Sequence, residues 1–141
     1  MALRDILTPV ELAYLIGQRL GRLATVDAAG APGVVPVTHR VDDDLGVVDI
    51  AGFRLAASAK WRNVRREPRV AYVVDDLETV DPWKPRGIQL RGTAQTVTVD
   101  GTDLIRVTPL RVIAWGLDTH PYARNSRDVT GGGPESRPPV T

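Results

Sequence analysis

The chain has 141 residues, 43% hydrophobic and 25% charged, with a formal net charge of +1. That is the size and make-up of one soluble globular domain with a thin core, of the kind that pairing with a second copy often completes. The near-neutral charge argues against a dedicated nucleic-acid binder, and the lack of cysteine excludes disulfides, thiolate metal sites and a cysteine nucleophile.

The first residues, MALRDILTPVELAYL, carry Asp5 and Glu11 and lack the basic start and apolar run of a signal peptide. No later stretch approaches the roughly 18 consecutive apolar residues of a membrane helix. The expected location is therefore the cytoplasm, with no membrane partner. Thr8-Pro9-Val10-Glu11 reads as a capping box with proline in the first helical position. Leu12, Leu15, Ile16 and Leu20 follow helical spacing, and Gly21 ends the run. A helix over about 9–20 is predicted.

Strand patterns follow. Residues 22–27, 33–41 and 47–50 form three short runs separated by the turn residues 28–30 and 42–46, a meander. Residues 58–67 read as a short helix stopped by Pro68. Arg69 to Val74 is almost entirely apolar after its first residue, which predicts a strand covered on both faces, one of them by a second subunit. A loop is expected over 75–85. A long strand follows over 86–99, with Gly87 and Gly92 as bending or bulging points, then a turn at Asp100-Gly101. The last strand covers 104–117, with Pro109 at an edge or bulge. From about Tyr122 the chain is rich in Gly, Pro, Ser and Arg. This divides it into a domain at 1–121 and a disordered tail at 122–141. The fold class is mainly β, a six-stranded antiparallel split barrel with short helices, closed in a way that removes exposed edges.

The strongest local signal for chemistry is Ser58-Ala59-Lys60-Trp61-Arg62-Asn63-Val64-Arg65-Arg66. Ser58 is placed to cap a helix whose first N–H groups and dipole form an anion site. Lys60 adds a point charge and Arg62 a two-pronged donor. The competing reading is a solvated helix whose arginines pair with Glu67 and the Asp42–Asp44 turn. The small-residue strand Gly33 to His39 would let a flat ring lie against backbone; it also reads as an ordinary buried strand. Trp61, Trp83 and Trp115 are candidates for an interface or for stacking beside a planar group, or for plain packing. His39 and His120 have no cysteine partner, so no metal site is expected. No GxSxG, GxGxxG or GxxxxGK[ST] motif occurs.

SAKWRNVRREPRVAYVVDD at 58–76, with PVELAYLIGQRLGRLATVD at 9–27, DPWKPRGIQLRGTA at 81–94 and IRVTPLRVIAWGLD at 105–118, resembles the pyridoxamine 5'-phosphate oxidase-like split-barrel superfamily. Within it, the combination is similar to the actinobacterial subgroup dependent on the deazaflavin coenzyme F420. The resemblance spans about residues 8–118. It implies an FMN-binding-type split barrel that works as a homodimer, with a cofactor site at the subunit interface and a small-molecule substrate. Carried onto matching positions, Ser58, Lys60, Arg62 and Asn63 would contact the cofactor phosphate region. Val35, Pro36, Val37 and Thr38 would line the ring. Trp83, Pro85 and Arg86 would come from the partner, and Trp115 would flank the site.

The longer C-terminal segment by which pyridoxamine phosphate oxidases grip pyridoxal is replaced here by a Gly/Pro-rich tail, which argues against that substrate. The run of Lys60, Arg62, Arg65 and Arg66 exceeds what one phosphate needs and favours F420, with FMN as the alternative. The expected activity is hydride transfer from reduced F420 to an electron-poor C=C or C=N bond of a small organic substrate, with polycyclic natural products among the candidates. No catalytic residue stands out, with solvent, His39 and Tyr72 the candidate proton sources. The competing classes are a non-catalytic flavin, F420 or tetrapyrrole carrier and an OB-type nucleic-acid barrel.

Overall fold

A computed structural model describes residues 1–117 and 124–129 of the chain. Helix α1 covers Pro9–Gly17 and α2 Ala59–Arg66. The strands are β1 (Leu20–Val26), β2 (Pro32–Asp42), β3 (Val47–Ala51), β4 (Arg69–Thr79), β5 (Lys84–Val99), β6 (Thr102–Trp115) and β7 (Arg124–Asp128). They form one antiparallel sheet in the order β3-β2-β1-β4-β5-β6-β7, and β3 pairs back onto β6. Six strands thus close into a barrel, with β7 added beyond β6. This is the predicted mainly β split barrel.

The capping box forms as predicted. The Glu11 N–H donates to Thr8 Oγ1 at 3.1 Å, and the Thr8 N–H donates to Glu11 Oε1 at 2.8 Å. The helix nevertheless stops at Gly17, earlier than its apolar spacing suggests. Leu20 is taken into β1 opposite Thr38. An apolar residue at that point fits either period, and ladder pairing decides it. Gly21 is required one step on: a Cβ there would lie 2.1 Å from the Tyr72 hydroxyl.

The core is built from inward residues of each strand, among them Leu23, Ile50, Tyr72, Leu90 and Val107, with Leu15 of α1 closing one end. In β4, Val70, Tyr72 and Val74 are buried while Ala71 and Val73 are half-buried on the outside. The single chain covers only one of the two faces predicted to be buried.

Gly92 marks the predicted bulge. The β5–β6 register shifts between Arg91 and Gly92, Pro109 lies opposite Gly92, and a Cβ at Gly92 would lie 2.0 Å from the Thr108 carbonyl oxygen. Asp100 and Gly101 both take positive φ, the hairpin pattern that matches strand twist.

Two sequence expectations are corrected. The loop at 75–85 is mostly strand: β4 runs to Thr79, β5 starts at Lys84, and the short connection holds a cis Asp81–Pro82 bond. Asp75 and Asp76 are ladder residues that pair with Arg22 and Arg86, rather than turn formers. The second correction concerns the tail. Residues 124–128, expected to be disordered, form β7 on β6. Backbone pairing and charges hold it: Arg111 donates to Asp128 at 2.7 Å, and Arg127 donates to Glu11 and, at 2.9 Å, to the Ile6 carbonyl. Val129 follows, its N–H donating to the Leu110 carbonyl at 2.8 Å, while residues 122–123 and 130–141, and His120, lie outside the described residues.

The barrel is closed by only three register pairs, Val48↔Val107, Asp49↔Arg106 and Ile50↔Ile105. The middle one is a two-pronged ion pair at 2.9 and 3.0 Å, with Asp49 just 7% exposed. Among the described residues no helix is long and apolar enough to cross a membrane.

Candidate cofactor site

Past the end of β3 the edge of β2 is open. Residues 38–42 of β2 pair with β3, Thr38 pairs with both β1 and β3, and residues 32–37 pair only with β1. In an antiparallel pair, opposed residues share a face. Val35 and Val37 therefore point inward with Leu23 and Gly21, while Val34, Pro36 and Thr38 point outward. Val37 is buried in the core, so only its backbone is available to a ligand. Val35 remains 39% exposed and Val34 64%. This stretch thus has one bare edge and two poorly covered faces.

Helix α2 begins beside that edge. Ser58 caps it: its hydroxyl accepts from the Trp61 N–H at 3.3 Å and donates to the Leu55 carbonyl at 2.6 Å. The Ser58 side chain is thereby spent on local structure, and the amides of Ala59 and Lys60 stand at the open end of the helix. Asn63 donates to Thr25 Oγ1 at 3.1 Å and ties α2 to β1. Arg62 uses one prong on the Ala57 carbonyl at 3.1 Å, and Arg66 donates to Asn63 Oδ1 at 3.1 Å. Arg69 pairs with Glu67.

The reading in which α2's arginines pair with Asp42–Asp44 is not what forms. Asp43 and Asp44 take Arg4 instead, at 3.1 and 2.9 Å, and hydrogen bonding from the Arg4 amide holds the Asp43 carboxyl below its ordinary range.

Between α2 and the β1–β2 turn lies a groove of about 510 Å³, lined by Arg62, Asn63 and Arg66 on one side and by the segment Asp27 to Gly33 on the other. Asp27 does not spoil it for anions, because its Oδ1 already accepts from the Ala29 and Ala31 amides, both at 2.9 Å. The donor set of two guanidiniums, an amide side chain and a helix start suits a phosphate-bearing molecule. No local feature of residues 27–33 marks this turn as part of the groove. Packing of α2 on β1, with the Thr25–Asn63 hydrogen bond, brings it there.

The other expected residues lie elsewhere in the chain. Trp83, Pro85, Arg86 and Trp115 gather at the far end of the β4–β5 hairpin, where Trp115 packs over Gly87. From Arg86 to Gly92, beside α2, is six residues of strand, roughly 20 Å. One chain does not bring them to the groove. Arg86 is also committed: it donates to Asp76 at 2.7 and 3.1 Å and stacks 5.1 Å from the Tyr14 ring centroid. Its hydrogen bonds hold the Asp76 carboxyl below its usual value. Tyr14 donates to Asp76 at 2.9 Å, and burial raises the pKa of its phenol.

His39 and Tyr72 form a chain inside the barrel. His39 Nε2 faces the Leu15 carbonyl at 2.9 Å, which only an N–H can satisfy, and Nδ1 is hydrogen-bonded to the Tyr72 hydroxyl. Tyr72 is fully buried, and burial raises its pKa, so it stays protonated. The pair pins β2 to β4 and α1. No group of three or more metal-ligating side chains occurs among the described residues.

A family model described as pyridoxamine 5'-phosphate oxidase matches residues 7–127. The 5a,11a-dehydrotetracycline/5a,11a-dehydrooxytetracycline reductase of Streptomyces rimosus is 38% identical over 137 residues, covering 89% of this chain and 96% of that protein. Among solved structures, a conserved hypothetical protein of Mycobacterium tuberculosis matches with a TM-score of 0.65 at 22% identity, over 79% of this chain and 86% of the other. An FAD binding protein of Mycobacterium smegmatis matches with a TM-score of 0.58 at 21% identity, over 77% and 92%. At these identities the two structures speak for the fold.

Proposed function

This chain belongs to the pyridoxamine 5'-phosphate oxidase family, and from that membership we propose that it is an oxidoreductase that reduces an electron-poor C=C or C=N bond in a planar polycyclic molecule, using reduced coenzyme F420. The reductase relative supports the reaction class and the kind of substrate. The observation that carries the cofactor reading is the cationic groove between α2 and the β1–β2 turn, opening onto the bare edge of β2.

The residues fit such a group. Arg62 and Arg66 line the groove and would neutralise an anionic tail, Lys60 would add charge from the first turn of α2, and Asn63 fixes α2 against β1. The backbone of Val35 to Thr38 can bond the edge of a flat ring, and the small side chains let it approach. When bound, the reduced deazaflavin supplies a hydride. Tyr72 and His39 hold β2 in register under that ring, and their hydroxyl and ring nitrogens are spent on each other and on Leu15. That leaves water as the proton source for the product.

The working unit in this reading is a homodimer in the cytoplasm. A second copy would cover the outer faces of β2 and β4. It would also supply Trp83, Pro85 and Trp115 across the roughly 20 Å that separates them from α2 within one chain. Arg86 would serve it through the Asp76 and Tyr14 cluster. FMN is the second reading, since the start of α2 with Lys60 is enough for a single phosphate.

The test is a fluorescence titration of the purified protein with F420 and with FMN, followed by sizing and by turnover with 5a,11a-dehydrotetracycline. Tighter binding of F420, a dimer, and oxidation of reduced F420 with that substrate are expected. Tight FMN with no F420 binding overturns the cofactor choice. Binding without turnover of any acceptor leaves a carrier, and a monodisperse monomer with bound cofactor overturns the shared site.

A further inference from the structure

A second groove, used by none of the residues above, lies on the other side of Ser58. It measures about 500 Å³ and is walled by Ala51, Gly52 and Arg54 to Ala57, and by Gly101 to Asp103 at the β5–β6 turn. Such a volume lies in the range of small-molecule sites. Its place along β2 is informative. Gly33 lines the first groove, and Thr38, five residues on, pairs with Ala51, which lines the second. Those five residues of strand, about 17 Å, are the bare-edged stretch that would seat the ring. The anionic tail, the ring and the second groove therefore fall in a row.

Phe53 falls in the chain between the wall residues Gly52 and Arg54 and is 96% exposed, the highest value among the large apolar side chains of the described residues. Its place is fixed by the chain on either side. Arg54 takes the left-handed conformation at φ 51°, ψ 43°, uncommon for a residue with a Cβ. Directly after it, Leu55 is buried in the core, and the turn closes with Ala57 N–H to the Arg54 carbonyl at 3.0 Å. Across the groove, Asp103 Oδ1 accepts from Thr98 Oγ1 at 2.8 Å, which fixes that wall. Arg54 and Asp103 put opposite charges on the two rims, and Ala51, Gly52, Ala56 and Ala57 keep the wall between them shallow.

We propose that this groove is the acceptor site. Its ligand is a planar, oxygen-bearing polycycle that stacks on Phe53 and meets Arg54 and Asp103 through its oxygens. The inference rests on the reductase reading and adds to it where the substrate sits and which side chain selects it. A well-stacked aromatic pair, added to the burial of Phe53, is expected to weigh about tenfold in binding.

The test uses full-length protein with F420 and with 5a,11a-dehydrotetracycline as the probe. Phe53→Ala is expected to raise KM for the probe about tenfold, while F420 affinity, dimer size and melting temperature stay as in the wild type. Phe53→Trp should restore KM. Ala56→Trp, which fills the groove without touching Phe53, should raise KM as well. The assignment falls if both Phe53→Ala and Ala56→Trp leave KM unchanged, or if their effect tracks loss of the dimer or of F420. A wild-type protein that binds F420 and does not reduce the probe removes the polycycle reading itself, and the groove's role with it. An active wild type with unaffected variants removes the groove alone.

Discussion

The two sides of the barrel are built on opposite terms. At the β3–β6 seam every position is doubly determined: Asp49 and Arg106 are ladder partners and an ion pair, and Val48, Ile50, Ile105 and Val107 fill the interior beneath them. At the β2 edge, residues 32–37 have one ladder partner, exposed valines on both faces and a neighbouring helix that carries charge rather than apolar bulk. The closed side spends its residues on stability. The open side leaves the outer ladder amides of β2 and its flat surface uncovered beside the arginines of α2, which is what binding requires.

Variants can break that contrast. The largest effect is expected from Arg106→Ala, which strands the buried Asp49 carboxylate at the seam. The loss should be about 3 kcal/mol in denaturant unfolding, with cofactor affinity per folded molecule unchanged. Gly21→Ala comes next. Its Cβ collides with the Tyr72 hydroxyl, and overpacking of this kind costs about 2 kcal/mol in the same measurement. On the open side the pattern reverses. Lys60→Ala should leave the unfolding curve in place while weakening F420 binding by about 1–3 kcal/mol in a fluorescence titration.

The smallest effect concerns pH. Hydrogen bonds from Arg86 lower the Asp76 pKa in the folded protein. That contribution is fully present above the unfolded carboxylate value near 4 and fades as pH falls below it. Asp76→Asn should therefore cost at most about 1 kcal/mol at neutral pH and narrow its gap to the wild type in acid. A gap that widens in acid would contradict the Asp76–Arg86 assignment.

The sequence announced what local chemistry controls. Thr8 and Glu11 marked a helix start, Ser58 marked another, Gly92 with Pro109 marked the bulge, and strand alternation marked the barrel. It was silent where distant partners decide. RNSRD at 124–128 has no apolar alternation, yet it is a strand because β6 offers a ladder and Glu11 a counter-ion. Asp75 and Asp76 look like turn formers until Arg22 and Arg86 arrive from neighbouring strands. Of the candidate site, α2 and β2 were legible because each is one contiguous segment. The β1–β2 turn that completes the groove, and the second groove beside Phe53, arise only from how segments meet.

The link from β7 to α1 has a practical side. Glu11 is 4% exposed, and its carboxylate serves both the Thr8 amide and Arg127. Trimming the chain anywhere between Trp115 and Arg127 would delete the cation that neutralises an acid near the opposite terminus. Shortened versions made for crystallisation or fusion should retain residues through Val129, or replace Glu11 with glutamine in the same step.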